Sequence, residues 1–180
     1  MRELNAADVP ELQRLFEDNA AYFEAVNGTP PRPDEAAREF ADRPPPDLPF
    51  GHHAMHGFED GDRRLKAVAS VLGDFIVPTV WHLGLFIVAT DLHGTGAARR
   101  LYERVERQAI GAGAAWLRLG VVSSNRRAAR FWEQVGYREV RQRHGYPSGT
   151  LTHTVRVMVK PLAGGTLDEY LGRMARDRPE

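Results

Sequence analysis

A short apolar segment that ends in a glycine-rich turn constrains the fold of this chain more than any other feature. Residues 81–88 are apolar enough for a buried strand, and the turn His93-Gly-Thr-Gly96 opens a helical stripe over 97–109. A second strand is predicted at 116–122. A helix that connects two strands of one sheet implies parallel pairing, so these two strands are expected to lie parallel.

The rest of the pattern predicts an α/β chain with a mixed sheet. Short turns join antiparallel neighbours, so the remaining strands are expected to form hairpins. One predicted hairpin pairs 52–58 with 65–72, and the other pairs 137–143 with 151–160 and turns at 145–149. The remaining predicted helices are 9–23, 34–41, 126–135 and 167–176. We expect one domain over 1–162 and a tail with a short helix over 163–180.

The composition excludes several classes of function. Lys plus Arg (24) equals Asp plus Glu (24), so no overall field favours nucleic acid or an anionic membrane. The chain has no cysteine, which excludes a disulfide framework, a thiolate zinc site and a cysteine nucleophile. No apolar run approaches the ~18–20 residues of a membrane span, and the N-terminal sequence lacks the apolar stretch of a secretory signal. We therefore expect a cytoplasmic protein without a nucleic-acid or membrane partner.

The glycine-rich turn at 93–98 has the form of an anion-binding site. Glycine lets the backbone turn sharply and approach a ligand, and the free amides at the start of the following helix favour phosphate. The segment lacks the Lys-Ser or Lys-Thr of a Walker loop. It also lacks the third glycine or alanine of a dinucleotide-binding fingerprint, because Arg99 stands there, and the later acidic residue. A strand–turn–helix junction that needs glycine only for close packing is the alternative.

A second motif lies further along the chain. The segment Asn125-Arg-Arg-Ala-Ala-Arg-Phe-Trp-Glu-Gln-Val-Gly-Tyr137 places Ala128, Phe131 and Val135 on one face of a helix that Asn125 can cap. By itself this motif is also typical of a plain amphipathic helix that ends at a glycine. The glycine-rich turn and this motif, in this order, resemble the paired motifs of the GNAT acetyltransferase superfamily. The predicted order of elements is similar to the GNAT order across nearly the whole chain.

The resemblance implies a GNAT fold, in which a mostly antiparallel sheet is flanked by helices and its two parallel strands splay apart to hold acetyl-CoA. The backbone near Phe86, Ile87 and Val88 would bond the pantetheine arm, and Asn125 and Phe131 would lie beside it. The residues expected at the pyrophosphate are those of the turn and the helix start: His93, Gly94, Thr95, Gly96, Ala97, Ala98 and Arg99. An amine would attack the thioester directly, with no covalent enzyme intermediate.

The candidate catalytic residues are His82 and Tyr146. A base must take a proton from the amine, and the ordinary pKa of histidine (~6.5) suits neutral pH. His82 lies on the strand where some GNAT members carry a base, and a histidine that is only hydrogen-bonded within the sheet is the alternative. Trp132 replaces the tyrosine that usually protonates the leaving thiolate in the family. Because an indole cannot serve as an acid, Tyr146, Tyr102 or water would have to take its place.

The sequence does not define the acceptor. The resemblance places Tyr22, Phe23 and Glu24 beside the acceptor site, although helix packing and solvent exposure explain them equally well. The histidines of 52–56 are spread too far along a strand to bind one ion, so no metal is expected. We expect an N-acetyltransferase acting on the primary amine of a small molecule or peptide, with a homodimer as one expected assembly. A CoA-binding module without activity, acting as a sensor or scaffold, is the alternative.

Overall fold

The computed structural model describes residues 1–162 and 164–179. Within them lie seven strands: β1 (Arg2–Glu3), β2 (His52–Glu59), β3 (Leu65–Gly73), β4 (Val80–Val88), β5 (Trp116–Val122), β6 (Arg138–Ser148) and β7 (Leu151–Pro161). The same residues contain six α-helices: α1 (Val9–Glu17), α2 (Ala20–Asn27), α3 (Glu35–Ala41), α4 (Ala97–Gly111), α5 (Arg126–Gln134) and α6 (Leu167–Arg173). Most predicted elements are therefore confirmed to within a residue or two.

The seven strands form one sheet in the order β1-β2-β3-β4-β5-β7-β6. Among these strands only β4 and β5 are parallel, and all other neighbours are antiparallel. The connection through α4 gives the parallel pairing, as predicted from the helical stripe. The predicted α/β class with a mixed, mostly antiparallel sheet is confirmed.

The parallel pair separates partway along its length, which leaves a gap between β4 and β5. Val80–Leu83 of β4 pair with Trp116–Leu119 of β5, and pairing between the two described strands ends there. Beyond these positions β4 continues to Val88 and β5 continues to Val122. The part of β4 that follows Leu83 therefore presents backbone polar groups to the gap rather than to β5.

A β-bulge at Gly84 lies where the two strands separate. On the β3 side, Leu83 pairs with Val71 and Leu85 pairs with Ser70, so Gly84 is the extra residue. A bulge bends its strand and increases the local twist. A glycine at the bend also leaves the backbone uncovered by a side chain. The bulge therefore contributes to the opening of the gap.

Helices cover both faces of the sheet. Neighbouring residues of β3 alternate between the faces, so that Ala67 packs in one cluster and Val68 in the other. The cluster with α4 and α5 buries Tyr102 and Trp132, and the cluster with α1, α2 and α3 buries Phe16. The sheet is therefore covered on both sides, and the gap between β4 and β5 lies within it.

The predicted helix over 9–23 is wrong in one respect, because it is interrupted at Asp18–Asn19 and forms α1 and α2. Asn19 is buried, and its Nδ2 donates to the Leu15 carbonyl at 2.7 Å. Its Oδ1 accepts from the Thr90 hydroxyl at 2.9 Å. A side-chain amide that bonds a helical carbonyl competes with the hydrogen bonds of the helix itself, which explains the break.

The last hairpin is longer than predicted, and the predicted turn at 145–149 is wrong. Strand β6 runs through Ser148, and the turn lies at Gly149, whose φ of 57° is left-handed. The added length brings the hairpin tip to the C-terminal end of α2, where the Thr150 amide donates to the Asn27 carbonyl at 2.8 Å. The hairpin tip is therefore held against the end of α2.

The tail packs against the sheet. Tyr170, Met174 and Asp177 are 0%, 1% and 0% exposed. Ala163, with which the predicted tail begins, and Glu180, with which it ends, lie outside the described residues. In the described parts of the chain, no helix combines the length and the apolar character needed to cross a membrane.

Candidate active site

A cavity of about 570 Å³ occupies the gap between β4 and β5. His82, Gly84 and Phe86 line it from β4, and Arg118 and Gly120 line it from β5. The remaining walls come from α2, α3, α5, the β6–β7 hairpin and the C-terminal tail. Elements from the whole length of the chain thus converge on one cavity, which makes it the candidate active site.

The glycine-rich turn lies between β4 and α4. Gly94 and Gly96 adopt left-handed φ values of 80° and 77°, which residues with a Cβ adopt only at a cost. The Thr95 hydroxyl donates to the Leu92 carbonyl at 2.8 Å and accepts from the Ala97 amide at 3.3 Å. Apart from Gly94 and its two chain neighbours, no described residue has an atom within 4 Å of the point where a Cβ on Gly94 would stand. The backbone of the turn is therefore open to close approach by a ligand.

The predicted anion site corresponds to the start of α4. The first amides of an α-helix, here those from Ala97 onward, lack an acceptor within the helix, and the helix dipole adds partial positive charge. Ala98 is small and half-buried, so its side chain adds little bulk beside these amides. The Arg99 guanidinium is exposed and lies 3.4 Å from the Gln134 carbonyl and 3.5 Å from the Glu103 carboxylate. Arg99 thus has partners on the outer surface of the helix.

His93 fastens the turn to the end of β4. Its Nε2 donates to the Val88 carbonyl at 2.9 Å, which leaves Nδ1 for another partner.

Phe86 and Ile87, two of the predicted residues of β4, differ in orientation. The Phe86 side chain lines the cavity, whereas Ile87 is buried in the cluster with α1–α3. Only the backbone of Ile87 can therefore contact a ligand in the gap.

Helix α5 supplies an apolar wall. Asn125 caps this helix as predicted, because its Oδ1 accepts from the Ala128 amide at 3.0 Å. The Phe131 ring lies nearly parallel to the Phe86 ring, with centroids 6.3 Å apart. Trp132 is 7% exposed and lines the cavity. The second sequence motif therefore lies beside the same cavity as the residues of β4.

His82 lies at the closed end of the gap, paired in register with Arg118. Its ring stacks on Phe75 with centroids 4.7 Å apart, and its Nδ1 lies 3.2 Å from both the carbonyl and the Nη1 of Arg118. Burial, and then the charge of Arg118, lower the pKa of His82 to about 3. The expectation that His82 titrates near neutral pH is therefore wrong, and its ring is neutral at physiological pH.

The two contacts of His82 Nδ1 correspond to two tautomers of the neutral ring. When Nδ1 carries the proton, it donates to the Arg118 carbonyl and Nε2 is an acceptor. When Nδ1 instead accepts from Arg118 Nη1, Nε2 carries the proton and is a donor. Only the first tautomer can take a proton through Nε2.

A buried carboxylate holds Arg118 in place. Asp177 Oδ2 accepts from Arg118 Nε at 2.7 Å and from the Tyr170 hydroxyl at 2.6 Å. Asp177 Oδ1 accepts from Arg118 Nη2 at 3.1 Å and from Arg143 Nη2 at 2.7 Å. Burial alone would raise the pKa of Asp177, but the bonds from the arginines and the tyrosine hold it well below its usual range. Asp177 is therefore ionised and joins β5, β6 and the tail.

The predicted acceptor residues of α2 divide into two groups. Tyr22 and Phe23 line the cavity, and their rings make an edge contact with centroids 5.2 Å apart. Glu24 is exposed on the helix surface and is not part of the cavity wall. Tyr22 and Phe23 therefore form the α2 wall of the cavity.

Helix α3 adds two carboxylates that the sequence analysis did not assign to the site. Glu35 and Glu39 line the cavity, and Asp42 follows directly after the helix and also lines it. Burial, and then the charges of Asp42 and Glu35, raise the pKa of Glu39 to about 7. This wall of the cavity is therefore acidic, and Glu39 titrates near neutral pH.

The two tyrosines considered as acids lie in different places. Tyr146 is 53% exposed and lies on the cavity wall. Tyr102 is fully buried in the core, where its hydroxyl donates to the Tyr137 hydroxyl at 3.3 Å, and burial raises its pKa well above the ordinary value. Only Tyr146 lies where it could contact a ligand in the cavity.

The three histidines of β2 have separate partners. His52 packs against Trp81, His53 Nε2 lies 2.9 Å from the Ser70 hydroxyl, and His56 Nε2 lies 3.0 Å from Gln108 Nε2. Among residues 1–162 and 164–179, no group of three or more His, Cys, Asp or Glu side chains is arranged to hold a metal ion.

Comparison with known proteins defines the class. The chain matches the sequence model of the acetyltransferase (GNAT) family over residues 12–137. More than half of the chain is matched, and the chain therefore belongs to the GNAT family. No curated protein shows significant sequence similarity to it.

Solved structures of acetyltransferases share the fold. An acetyltransferase from Thermus thermophilus is 22% identical, with 89% of this chain and 94% of that chain covered and a TM-score of 0.69. The ribosomal-protein-S18-alanine N-acetyltransferase of Escherichia coli is 19% identical over 92% and 94%, with a TM-score of 0.66. A spermidine N-acetyltransferase chimera from Vibrio cholerae and hSSAT is 18% identical, with 96% of this chain and 98% of that chain covered and a TM-score of 0.65. At these identities the likeness shows the fold alone.

Sequence reasoning missed Arg118, Arg143, Arg176 and Glu39 at the cavity, and it missed Asp177, which binds two of these arginines from behind the cavity wall. Arg118 did carry a signal, because a charged residue in the otherwise apolar strand of 116–122 indicates a buried charge that needs a partner. Its partner is 59 residues further along the chain, and nothing in the local sequence indicates that pairing.

Proposed function

We propose that this protein is an N-acetyltransferase that transfers the acetyl group of acetyl-CoA to a primary amine by direct attack. One observation carries the proposal. The open edge of β4 runs from the glycine-rich turn at one end to the cavity with His82 at the other, and a long thioester ligand can lie along it. The family supports the activity class.

The residues of the chain fit acetyl-CoA, which supplies the acetyl group as an activated thioester. The amides of Gly94, Gly96 and Ala98 would bind the pyrophosphate, whereas those of Thr95 and Ala97 already donate within the turn. His93, Thr95 and Arg99 would shape or add charge to that site. Backbone groups of 86–88 would bond the pantetheine arm as a further strand would. Asn125 and Phe131 would bound the arm on the other side of the gap.

We propose that His82 is the base that accepts the proton of the attacking amine. Its neutral ring can accept a hydrogen bond through Nε2 when Nδ1 donates to the Arg118 carbonyl, and it takes the proton directly or through a water as the nitrogen–carbon bond forms. A pKa of about 3 makes the free-protein ring a weak base. The acidic limb of the pH–rate profile should therefore reflect the amine or Glu39 rather than His82.

The other roles follow from position. Tyr146 is the side chain proposed to protonate the leaving thiolate, because Trp132 occupies the usual place of that acid. The uncovered backbone at the Gly84 bulge is suited to donating to the oxyanion of the tetrahedral intermediate. Tyr22 and Phe23 would hold the apolar part of the acceptor.

Trp132 also supports a second candidate function. An indole on the cavity wall cannot protonate a thiolate, so the chain could bind acetyl-CoA as a sensor or scaffold without turnover.

Release of free thiol from acetyl-CoA over a panel of primary amines separates the two functions. We expect thiol release that depends on the amine, and we expect His82→Gln to lower kcat/KM by about 10²-fold. The exposed His144→Gln should retain native kcat/KM. Acetyl-CoA binding with no thiol release from any amine would instead support the silent module.

A further inference from the structure

Three arginines from different elements meet at one end of the cavity. Arg118 comes from β5, Arg143 from β6, and Arg176 from the short 3-10 helix that follows α6, and all three line the cavity. We refer to these three residues as the arginine cluster. Arg118 adjoins His82, so the cluster lies at the closed end of the gap, away from the glycine-rich turn.

The positive charge of the cluster is only partly compensated. Asp177 is the carboxylate that contacts it among the described residues, and it binds both Arg118 and Arg143. The negative charge of Asp47 also favours the charged form of Arg176, but Asp47 is exposed to solvent. Three guanidiniums therefore face one buried carboxylate and one exposed carboxylate, and a net positive charge remains at the cavity wall.

The cluster also keeps donors that the described protein groups do not use. A guanidinium has five N–H donors, and two of those of Arg118 serve Asp177 in the tautomer in which His82 Nδ1 donates to the Arg118 carbonyl. Arg143 Nη2 donates to Asp177 and to the Arg176 carbonyl, whereas Arg143 Nε is buried and has no hydrogen-bond partner among the described residues. A buried N–H without an acceptor is costly, so the cluster is not fully satisfied by the described protein groups alone.

Repulsion within the cluster leads to the same conclusion. Burial, and then the charges of Arg143 and Arg118, lower the pKa of Arg176 from its usual value. Native proteins rarely keep like charges together in a half-buried wall unless an opposite charge joins them. An oxyanion is the ligand that guanidiniums bind best, through paired N–H donors.

We propose that the arginine cluster is an anion subsite and that the acceptor is a primary amine that also carries a carboxylate, as an α-amino acid does. This inference rests on the proposed function. The acidic wall of Glu35, Glu39 and Asp42 faces the same cavity and suits the ammonium group before it loses its proton. A bound carboxylate also offsets the Arg118 charge next to His82, so binding of such an acceptor makes the proposed base stronger.

The test compares amino acids with the amines formed by their decarboxylation. Thiol release from acetyl-CoA is measured with phenylalanine and phenethylamine, leucine and isoamylamine, and lysine and cadaverine. In the pair whose side chain fits, we expect kcat/KM to be at least ~10-fold higher for the amino acid than for its decarboxylated amine. The amine lacks the carboxylate that would pair with the arginine cluster.

Arg143→Gln should reduce that preference at least ~5-fold, mainly through KM, and leave the Kd of acetyl-CoA unchanged. Arg138→Gln changes an exposed arginine of the same strand and should retain the preference. Should Arg143→Gln fail to fold, Arg176→Gln provides the same test from the tail.

The outcomes separate the inference from the proposed function. Equal or higher kcat/KM for the decarboxylated members would overturn the anion subsite while the acetyltransferase activity stands. The absence of transfer to every carboxylate member, by a protein that binds acetyl-CoA, would overturn it as well. A native protein that does not bind acetyl-CoA would overturn the proposed function, and the inference with it.

Discussion

At the scale of single residues, burial in the cavity wall lowers the pKa of His82 and raises the pKa of Glu39. His82 loses basicity because a positive ring would lie buried beside Arg118, and Glu39 gains a proton more readily because a negative carboxylate would lie buried near Asp42 and Glu35. Both side chains therefore favour their neutral forms. A charged acceptor changes this balance, which couples acceptor binding to proton transfer.

Glu39 makes the stability of the protein depend on pH. Its pKa of about 7 lies above the ordinary value for glutamate, so its contribution to stability is fully present below pH ~4.5 and is lost as pH rises through ~7. We expect Glu39→Gln to remove this loss and to raise Tm at pH 8 relative to the native protein, with a smaller difference at pH 5. Thermal unfolding at the two pH values measures the effect.

The matched control for Glu39→Gln is Glu24→Gln, which changes an exposed carboxylate on α2. This control should shift Tm equally at pH 5 and pH 8. If Glu39→Gln also shifted Tm equally at both, the proposed titration of Glu39 near neutral pH would be wrong.

At the scale of elements, Asp177 fastens the tail to the sheet. It is fully buried and accepts hydrogen bonds from side chains of β5, β6 and α6. We expect Asp177→Asn to lower the free energy of unfolding by about 3–5 kcal/mol, because it leaves Arg118 charged and buried without its counter-ion. Urea unfolding of the variant and the native protein measures the difference.

Asp62→Asn is the control for Asp177→Asn, since Asp62 is exposed in the turn between β2 and β3. It should change the free energy of unfolding by less than about 0.5 kcal/mol. A loss of under ~1 kcal/mol in Asp177→Asn would show that the network does not hold the tail.

The elements were largely predictable from sequence, and the exceptions have physical causes. Period-two and helical patterns gave the strands and most helices because one face of each is buried. The break at Asn19 depends on Thr90, which is 71 residues away, and the long β6 strand is set by contacts of the hairpin tip with Asn27. Neither contact leaves a pattern in the local sequence.

The candidate site was predictable in the same uneven way. The turn at 93–98 and the capped helix at Asn125 were found because each is a local motif. The arginine cluster and the α3 carboxylates were not found, because charges scattered over the chain become neighbours only in the folded sheet. Only Arg118 carried a local signal, as a charge within an apolar strand.

At the scale of the whole molecule, the two ends of the cavity come from different parts of the chain. The family match spans residues 12–137 and includes the glycine-rich turn and α5. Arg143, Arg176 and Asp177 lie after it, on the last hairpin and the tail. The shared part thus holds the proposed acetyl-CoA site, and the part beyond the match helps to form the proposed acceptor site.

The central claim is that the turn at the start of α4 binds acetyl-CoA through its backbone. Gly96 and Gly113 stand at opposite ends of α4, and both have positive φ values, 77° and 84°. Glutamate at either position should cost about 1–2 kcal/mol of backbone strain. Only glutamate at position 96 adds bulk and negative charge to the proposed phosphate site.

The most direct measurement is isothermal titration of acetyl-CoA into the native protein, Gly96→Glu and Gly113→Glu, each checked for native circular dichroism. The account predicts binding to the native protein and to Gly113→Glu with similar Kd, and no measurable binding to Gly96→Glu. Equal affinity in all three proteins, or no binding to the native protein, would contradict it.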